Sequence, residues 1–265
     1  MKYVLTLLAV MLLAGCQSNP QRTAETSSTD SKAGVDTTGA LGSPVERRSA
    51  ANVYVELGTA YLQEGVLGEA LKNARKAIIV DPELAPAHNL LGIIYQRLGK
   101  TVLAGEHLAK AVKIDPYDPY DPYALNALGS FECDQAQYDS AISRFKAALE
   151  NPLYPTPWVA SHNAGQCSER QGNAAKAEDY YRAALKRNPG FAQSLARMAH
   201  ISPGKGQSLS VRAYLQRYAG ISPLTADLLL LGVRAENALG DAKQAALYAA
   251  ELRKRYPTAK EIESL

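Results

Sequence analysis

A repeated pattern of small and large apolar residues constrains this chain more than any other feature. One copy consists of Leu91, Gly92, Tyr95, Ala104, Ala111 and Pro116. A shift of about 34 residues toward the N-terminus reaches the same residue types at Leu57, Gly58, Tyr61, Ala70, Ala77 and Pro82. Glycine and alanine at fixed spacing let two helix backbones approach closely, and proline ends the second helix. Because one helix pair of this size cannot bury its apolar face alone, neighbouring copies must stack.

Further copies of the pattern follow along the chain. The small-residue positions recur as Gly129 and Ala141, Gly165 and Ala177, Ala199, and Gly232 and Ala245. In the third copy Glu132 takes the tyrosine position, with Phe131 beside it. The pattern resembles the tetratricopeptide repeat (TPR). That resemblance implies an all-α, right-handed superhelical solenoid of about six repeats over residues 46–257, followed by a C-terminal tail at 258–265. The first helix of each repeat would line a concave inner face.

The N-terminus has the features of an export signal. Lys2 precedes the apolar run Val4–Leu13, which is too short to span a bilayer as a mature helix. Leu13-Ala14-Gly15-Cys16 resembles the lipobox of bacterial lipoproteins, which implies a signal peptide at 1–15 and lipidation of Cys16. The alternative is an ordinary signal peptide with a chance cysteine. Gln17 and Ser18 follow the cysteine where retained inner-membrane lipoproteins carry aspartate, so the resemblance implies the periplasmic face of the outer membrane.

The segment 16–45 is rich in serine, threonine, glycine and aspartate and nearly free of large apolar side chains. Such a composition cannot bury enough surface to offset the loss of chain entropy. We therefore expect a disordered tether after the lipidated cysteine, with a root-mean-square reach of roughly 30 Å.

Two further cysteines, Cys133 and Cys167, fall in the first helices of repeats three and four. They lie on different sides of those helices, which is what a bridge between neighbouring repeats requires. Because the periplasm is oxidising, we predict a disulfide between them. The alternative is a pair of buried free thiols.

Catalysis and cofactor binding find no support in the sequence. The histidines occur singly and outside metal-binding or nucleophile motifs, so we expect helix-surface or groove positions for all four. They are His88, His107, His162 and His200. A net charge of +3 without a dense basic run argues against nucleic-acid binding. The Asp-Pro-Tyr triplets at 115–123 read as an extended loop rather than a cation site. We predict no enzyme, metal, cofactor or small-molecule substrate.

A partner-binding groove is predicted on the first helices of repeats one and two. Its residues are Asn52, Val55, Thr59 and Leu62, followed by Asn89, Ile93, Gln96 and Arg97. This set lacks the lysines that TPR domains use to hold acidic chaperone tails. It is partly apolar, which suits an amphipathic helix or an extended segment of a partner protein. Alternatively, the apolar members only pack against neighbouring repeats.

A narrower resemblance comes from the proline-rich segment at 151–158, Asn-Pro-Leu-Tyr-Pro-Thr-Pro-Trp, with Asn163-Ala164-Gly165 after it and a cysteine on each side. Together with the lipobox, the tether and the repeats, it resembles the type IV pilus biogenesis lipoproteins of the PilW/PilF family. That resemblance implies a non-catalytic protein at the outer membrane that binds the pilus secretin subunit and promotes its localisation and assembly. The competing hypothesis is a general periplasmic scaffold lipoprotein that serves outer-membrane protein assembly or cell-wall synthesis.

Overall fold

The computed structural model describes residues 42–114, 121–201 and 207–265. Across these ranges the chain forms twelve α-helices and one 3-10 helix, without strands. The helices are α1 Pro44–Gln63, α2 Leu67–Val80, α3 Ala85–Arg97, α4 Thr101–Ile114, α5 Pro122–Asp134, α6 Tyr138–Glu150, α7 Pro157–Arg170, α8 Ala174–Arg187, α9 Ala192–Ile201, α10 Ser208–Ala219, α11 Ala226–Leu239, α12 Ala242–Arg255 and the 3-10 helix Lys260–Ser264. Each odd-numbered helix packs on the helix that follows it, and successive pairs stack, so the fold is an all-α solenoid of six repeats.

Close approach of the paired helices explains the small residues of the pattern. A Cβ atom added at Gly165 would lie 2.6 Å from Cε1 of Tyr181, and one added at Gly129 would lie 2.9 Å from the Phe145 ring. Such distances are shorter than van der Waals contact, so only glycine fits where α5 meets α6 and α7 meets α8. Tyr181 and Phe145 are fully buried in these contacts.

The turns between paired helices depend on residues with positive φ. Glycine takes this conformation in four repeats, for example at Gly99 with φ +69° and Gly240 with φ +77°. In repeat three the same place is occupied by Ala136 with φ 59°. The Cβ of alanine is crowded in this region of backbone space, so this turn is strained where the other four are not.

The two ends of the array differ slightly from the predicted boundaries. Helix α1 begins at Pro44 rather than near residue 46, because Ser43 and Glu46 form a capping box at its N-terminus. At the other end the predicted tail is not free: Ile262 of the 3-10 helix packs against the core of the last repeat. The signal peptide, Cys16, most of the predicted tether, the residues at 115–120 and the turn at 202–206 lie outside the described residues.

Candidate functional site

The predicted groove residues of α1 and α3 differ in how much of each side chain is exposed to solvent. Asn52 is exposed, and Val55, Thr59, Asn89 and Ile93 are half-buried. Val55 and Ile93 also pack against the core formed by repeats one and two. They therefore present only part of their apolar surface to a partner.

Leu62 does not belong to an open groove. Its side chain is 6% exposed and packs in the core with Leu90, Leu91 and Ile94. Leu62 lies in the last turn of α1, where the apolar side chain turns toward α3 and away from solvent. The prediction of a partner contact at Leu62 is thus corrected to a core role.

Gln96 and Arg97 join neighbouring repeats. The Gln96 amide donates a hydrogen bond of 2.6 Å to Asp134 on α5, and the Arg97 guanidinium donates one of 2.9 Å to the carbonyl of Leu62 on α1. Asp134 also forms an ion pair with Arg170 on α7. A polar ladder therefore runs from repeat two to repeat four, and a partner would have to compete with it for Gln96 and Arg97.

Asn89 carries an unsatisfied polar atom. Its Oδ1 is buried and accepts no hydrogen bond from the residues that the structure describes. A buried acceptor without a donor costs about 1–3 kcal/mol in a folded chain. Because Oδ1 is enclosed, a bound partner would meet only the accessible part of the half-buried Asn89 side chain.

The cysteine pair links repeats three and four. Cys133 on α5 and Cys167 on α7 form a disulfide, with their Cα atoms 5.7 Å apart. Both cysteines are buried, 34 residues apart in the chain. This interrepeat disulfide lies in the middle of the array, directly below the inner face.

Two buried carboxylates and one half-buried carboxylate on the first helices bind side chains of the second helices, and the sequence alone did not reveal them. Glu132 accepts a hydrogen bond of 2.7 Å from Ser140, and Glu169 accepts one of 2.5 Å from the Tyr181 hydroxyl. Glu236 is 1% exposed and paired with Arg212. Burial, together with the Glu169 carboxylate, raises the pKa of Tyr181. The sign in the sequence was Glu132 itself, a charged residue at the position that tyrosine occupies in repeats one and two.

Two histidines form a direct contact between α3 and α4. The Nδ1 atoms of His88 and His107 lie 2.8 Å apart, and Nε2 of His88 lies 3.1 Å from the Pro82 carbonyl. Neutral rings satisfy this arrangement when His88 donates to Pro82 and accepts from His107. Burial lowers the pKa of both residues of this histidine pair.

The histidine environments correct the expectation of surface positions. His88 is 3% exposed, and His162 is buried against Tyr181 and Phe191 with its Nδ1 2.9 Å from the Ser194 hydroxyl. Burial lowers the pKa of His162 to about 4. His107 is half-buried, and His200 lies 3.0 Å from Asp227. In the sequence, this pair was indicated only by the presence of one histidine on each helix of repeat two, 19 residues apart.

Comparison with known proteins places the chain. A family model described as tetratricopeptide repeat matches residues 55–119 and 127–190. The type IV pilus assembly protein PilF of Pseudomonas aeruginosa is 30% identical over 217 residues, which is 82% of this chain and 85% of that protein. This chain belongs to the PilF family. Its predicted resemblance and its predicted repeat fold are both confirmed.

Solved structures of PilF-family proteins share the fold. A structure of Pseudomonas aeruginosa PilF has a TM-score of 0.74 at 30% identity, covering 82% of this chain and 97% of that one. A crystal structure of PilW, a widely conserved type IV pilus biogenesis factor, has a TM-score of 0.70 at 29% identity, covering 81% and 97%. The shared part of the PilF family is thus the helical array itself.

Within the described ranges, no group of three or more metal-ligating side chains comes together in this PilF-family chain. None of the helices in those ranges is both long enough and apolar enough to cross a bilayer. The residues brought together on the inner face are amides, ion pairs and partly covered apolar side chains, a set suited to binding a polypeptide.

Proposed function

We propose that this PilF-family chain is a lipoprotein of the outer membrane that binds a subunit of the type IV pilus secretin and promotes its localisation and assembly. The observation that carries the proposal is the 30% identity to PilF over 82% of the chain. The lipobox that ends at Cys16 supports the anchor, because two or more acyl chains hold a protein stably at a membrane.

The proposed mechanism is binding without chemistry. Asn52, Val55, Thr59, Asn89 and Ile93 offer a surface on α1 and α3 that combines apolar patches with amide groups. A secretin segment would cover the exposed parts of Val55 and Ile93 and accept a hydrogen bond from the amide nitrogen of half-buried Asn89, whose Oδ1 is enclosed. Cys16 would hold the array at the membrane, so the bound subunit would arrive at the site of ring assembly.

Asn89→Ala tests the binding surface. Removal of a buried acceptor without a donor should leave the free energy of unfolding unchanged or raise it. The same change should weaken secretin binding about tenfold or more, which corresponds to about 1.4 kcal/mol. Asn237→Ala, at an exposed position of α11 in repeat six, is the matched control and should bind normally. Equal binding by both variants would remove Asn89 from the proposed surface.

Cys16→Ser tests the anchor. In cells that lack the natural gene, this variant should be released from the outer-membrane fraction, and the secretin should fail to form heat-resistant multimers there. The wild-type chain supplied in the same way should restore both. Retention of Cys16→Ser in the outer-membrane fraction would contradict the lipid anchor, and a wild-type chain that is itself released would indicate an ordinary, cleaved signal peptide.

A further inference from the structure

The inner face of repeats three to five contains two adjoining cavities, which meet the predicted groove of repeats one and two only where Gln96 donates to Asp134. One, of about 250 Å³, is lined by residues that include Ser130, Asn163, Gln166 and Arg170. The other, of about 370 Å³, shares Gln166 and Arg170 and extends to Arg197 on α9. We call this continuous depression the amide groove, after Asn163 and Gln166.

Hydrogen bonds hold the Asn163 side chain of the amide groove in place, but other polar atoms of the groove have no partner among the described residues. Nδ2 of Asn163 donates to Oδ1 of Asn126 at 3.0 Å and to the Ser130 hydroxyl at 3.3 Å. Both N–H groups of this amide are thereby directed at α5, and Oδ1 of Asn163 receives no hydrogen bond from the described residues. The exposed amide of Gln166 likewise has no partner among them. The groove therefore offers an acceptor from Asn163 and both a donor and an acceptor from Gln166.

Electric charge in the amide groove is balanced. Arg170 pairs with Asp134, and Arg197 pairs with Glu169 at 2.6 Å. Each positive side chain is neutralised by a carboxylate of the groove itself. An acidic peptide or a phosphate would have to displace these carboxylates, so a neutral occupant is favoured.

The floor of the amide groove is rigid. The interrepeat disulfide joins α5 to α7 directly beneath it, and Cys133 contributes to the lining of the smaller cavity. The Asn126–Asn163 hydrogen bond ties the same two helices together at the inner face. A site that is already ordered before binding loses little conformational entropy when it is occupied.

We propose that the amide groove is a second binding site, which holds an uncharged, extended polypeptide segment through its main chain. An extended segment presents N–H and C=O groups at regular intervals, and paired amide side chains match both. Because main-chain groups are common to all sequences, the site accepts varied side chains and excludes segments dense in charge.

Gln166→Trp, which fills the junction of the two cavities, provides the test, and Gln216→Trp on the outer helix α10 is the matched control. Phage-displayed random peptides of about 12 residues are selected on the disulfide-bonded wild-type protein, and their affinities are then measured on all three proteins. Selected peptides should be poor in charged residues, bind Gln166→Trp at least tenfold more weakly, and bind the control normally.

Three results would overturn the proposal: no peptides recovered, an acidic consensus, or equal affinity for Gln166→Trp. Because Gln166 is exposed and makes no contact through its amide, the variant should fold, and circular dichroism with a thermal melt verifies this. Gln166→Ala provides a second, smaller change that should weaken the same peptides in the same direction. No secretin is used, so failure here leaves the pilus proposal standing, and failure of that proposal leaves this site.

Discussion

Replacing Gly165 with alanine tests the contact that fixes the geometry of a repeat. The added Cβ would lie 2.6 Å from Cε1 of Tyr181, well inside van der Waals contact. Tyr181 cannot move aside easily, because its ring is fully buried and its hydroxyl donates to Glu169. Overpacking of this kind typically costs about 1–3 kcal/mol. Alanine regains about 0.5–1 kcal/mol of helix stability relative to glycine, which leaves a net loss of up to about 2.5 kcal/mol.

The matched control is Gly68→Ala on α2, where an added Cβ would meet nothing within 4 Å. Because Gly68 is the second residue of α2, this change should stabilise the protein by at most about 0.5–1 kcal/mol, so the two identical substitutions should have opposite signs. Urea denaturation followed by circular dichroism, with the disulfide intact, measures both. Each kcal/mol lost on Gly165→Ala should lower the Tm by about 2–4 °C.

A double variant identifies the cause of the loss. In a Tyr181→Leu background, which removes the ring from the path of the Cβ, the cost of Gly165→Ala should shrink by about 1 kcal/mol or more. An unchanged cost in that background, or a stabilising Gly165→Ala in the wild type, would refute the close-approach explanation of the repeat pattern.

Three further predictions concern strain, acid and reduction. Ala136→Gly should raise the free energy of unfolding, measured by urea denaturation, by about 0.5–1 kcal/mol, because it relieves the backbone strain of an alanine with positive φ. Gly99→Ala should lower the free energy of unfolding, because it creates the same strain. Equal effects of the two changes would contradict this explanation. Burial depresses the pKa of His162 to about 4, so its contribution to the free energy of unfolding should be full above about pH 6.5 and fall by up to about 3 kcal/mol toward pH 4. The histidine pair should act in the same direction. Thermal melts that do not change over this pH range would contradict the prediction. Reduction of the interrepeat disulfide should cost about 3–4 kcal/mol, and a Cys133→Ser/Cys167→Ser variant that is insensitive to reductant is the control.

Residues with a single physical purpose could be predicted from the sequence. Glycine at Gly92, Gly129 and Gly165 recurs at a fixed distance from a large partner, and close helix contact explains that spacing. Proline and glycine likewise marked most helix ends within a residue or two. The fold class followed from these positions because they act locally or at the period of the repeat.

Residues with partners in another repeat could not be predicted in the same way. Whether Leu62 faces a groove or the core depends on α3, and Gln96 finds Asp134 38 residues further along the chain. The sequence specified that these side chains lie on first helices but not how far each helix is rotated. The pairing of buried Glu236 with Arg212 could not be predicted for the same reason, because two exposed charged residues would give the same sequence pattern.

The central claim, that this PilF-family chain acts on the type IV pilus secretin, is tested most directly by affinity purification from detergent-solubilised envelopes with a C-terminally tagged full-length chain. The proposal predicts that the secretin co-purifies with the wild-type chain and is depleted with Asn89→Ala. Recovery of barrel-assembly or peptidoglycan-synthesis proteins without the secretin would contradict it and favour the general envelope scaffold.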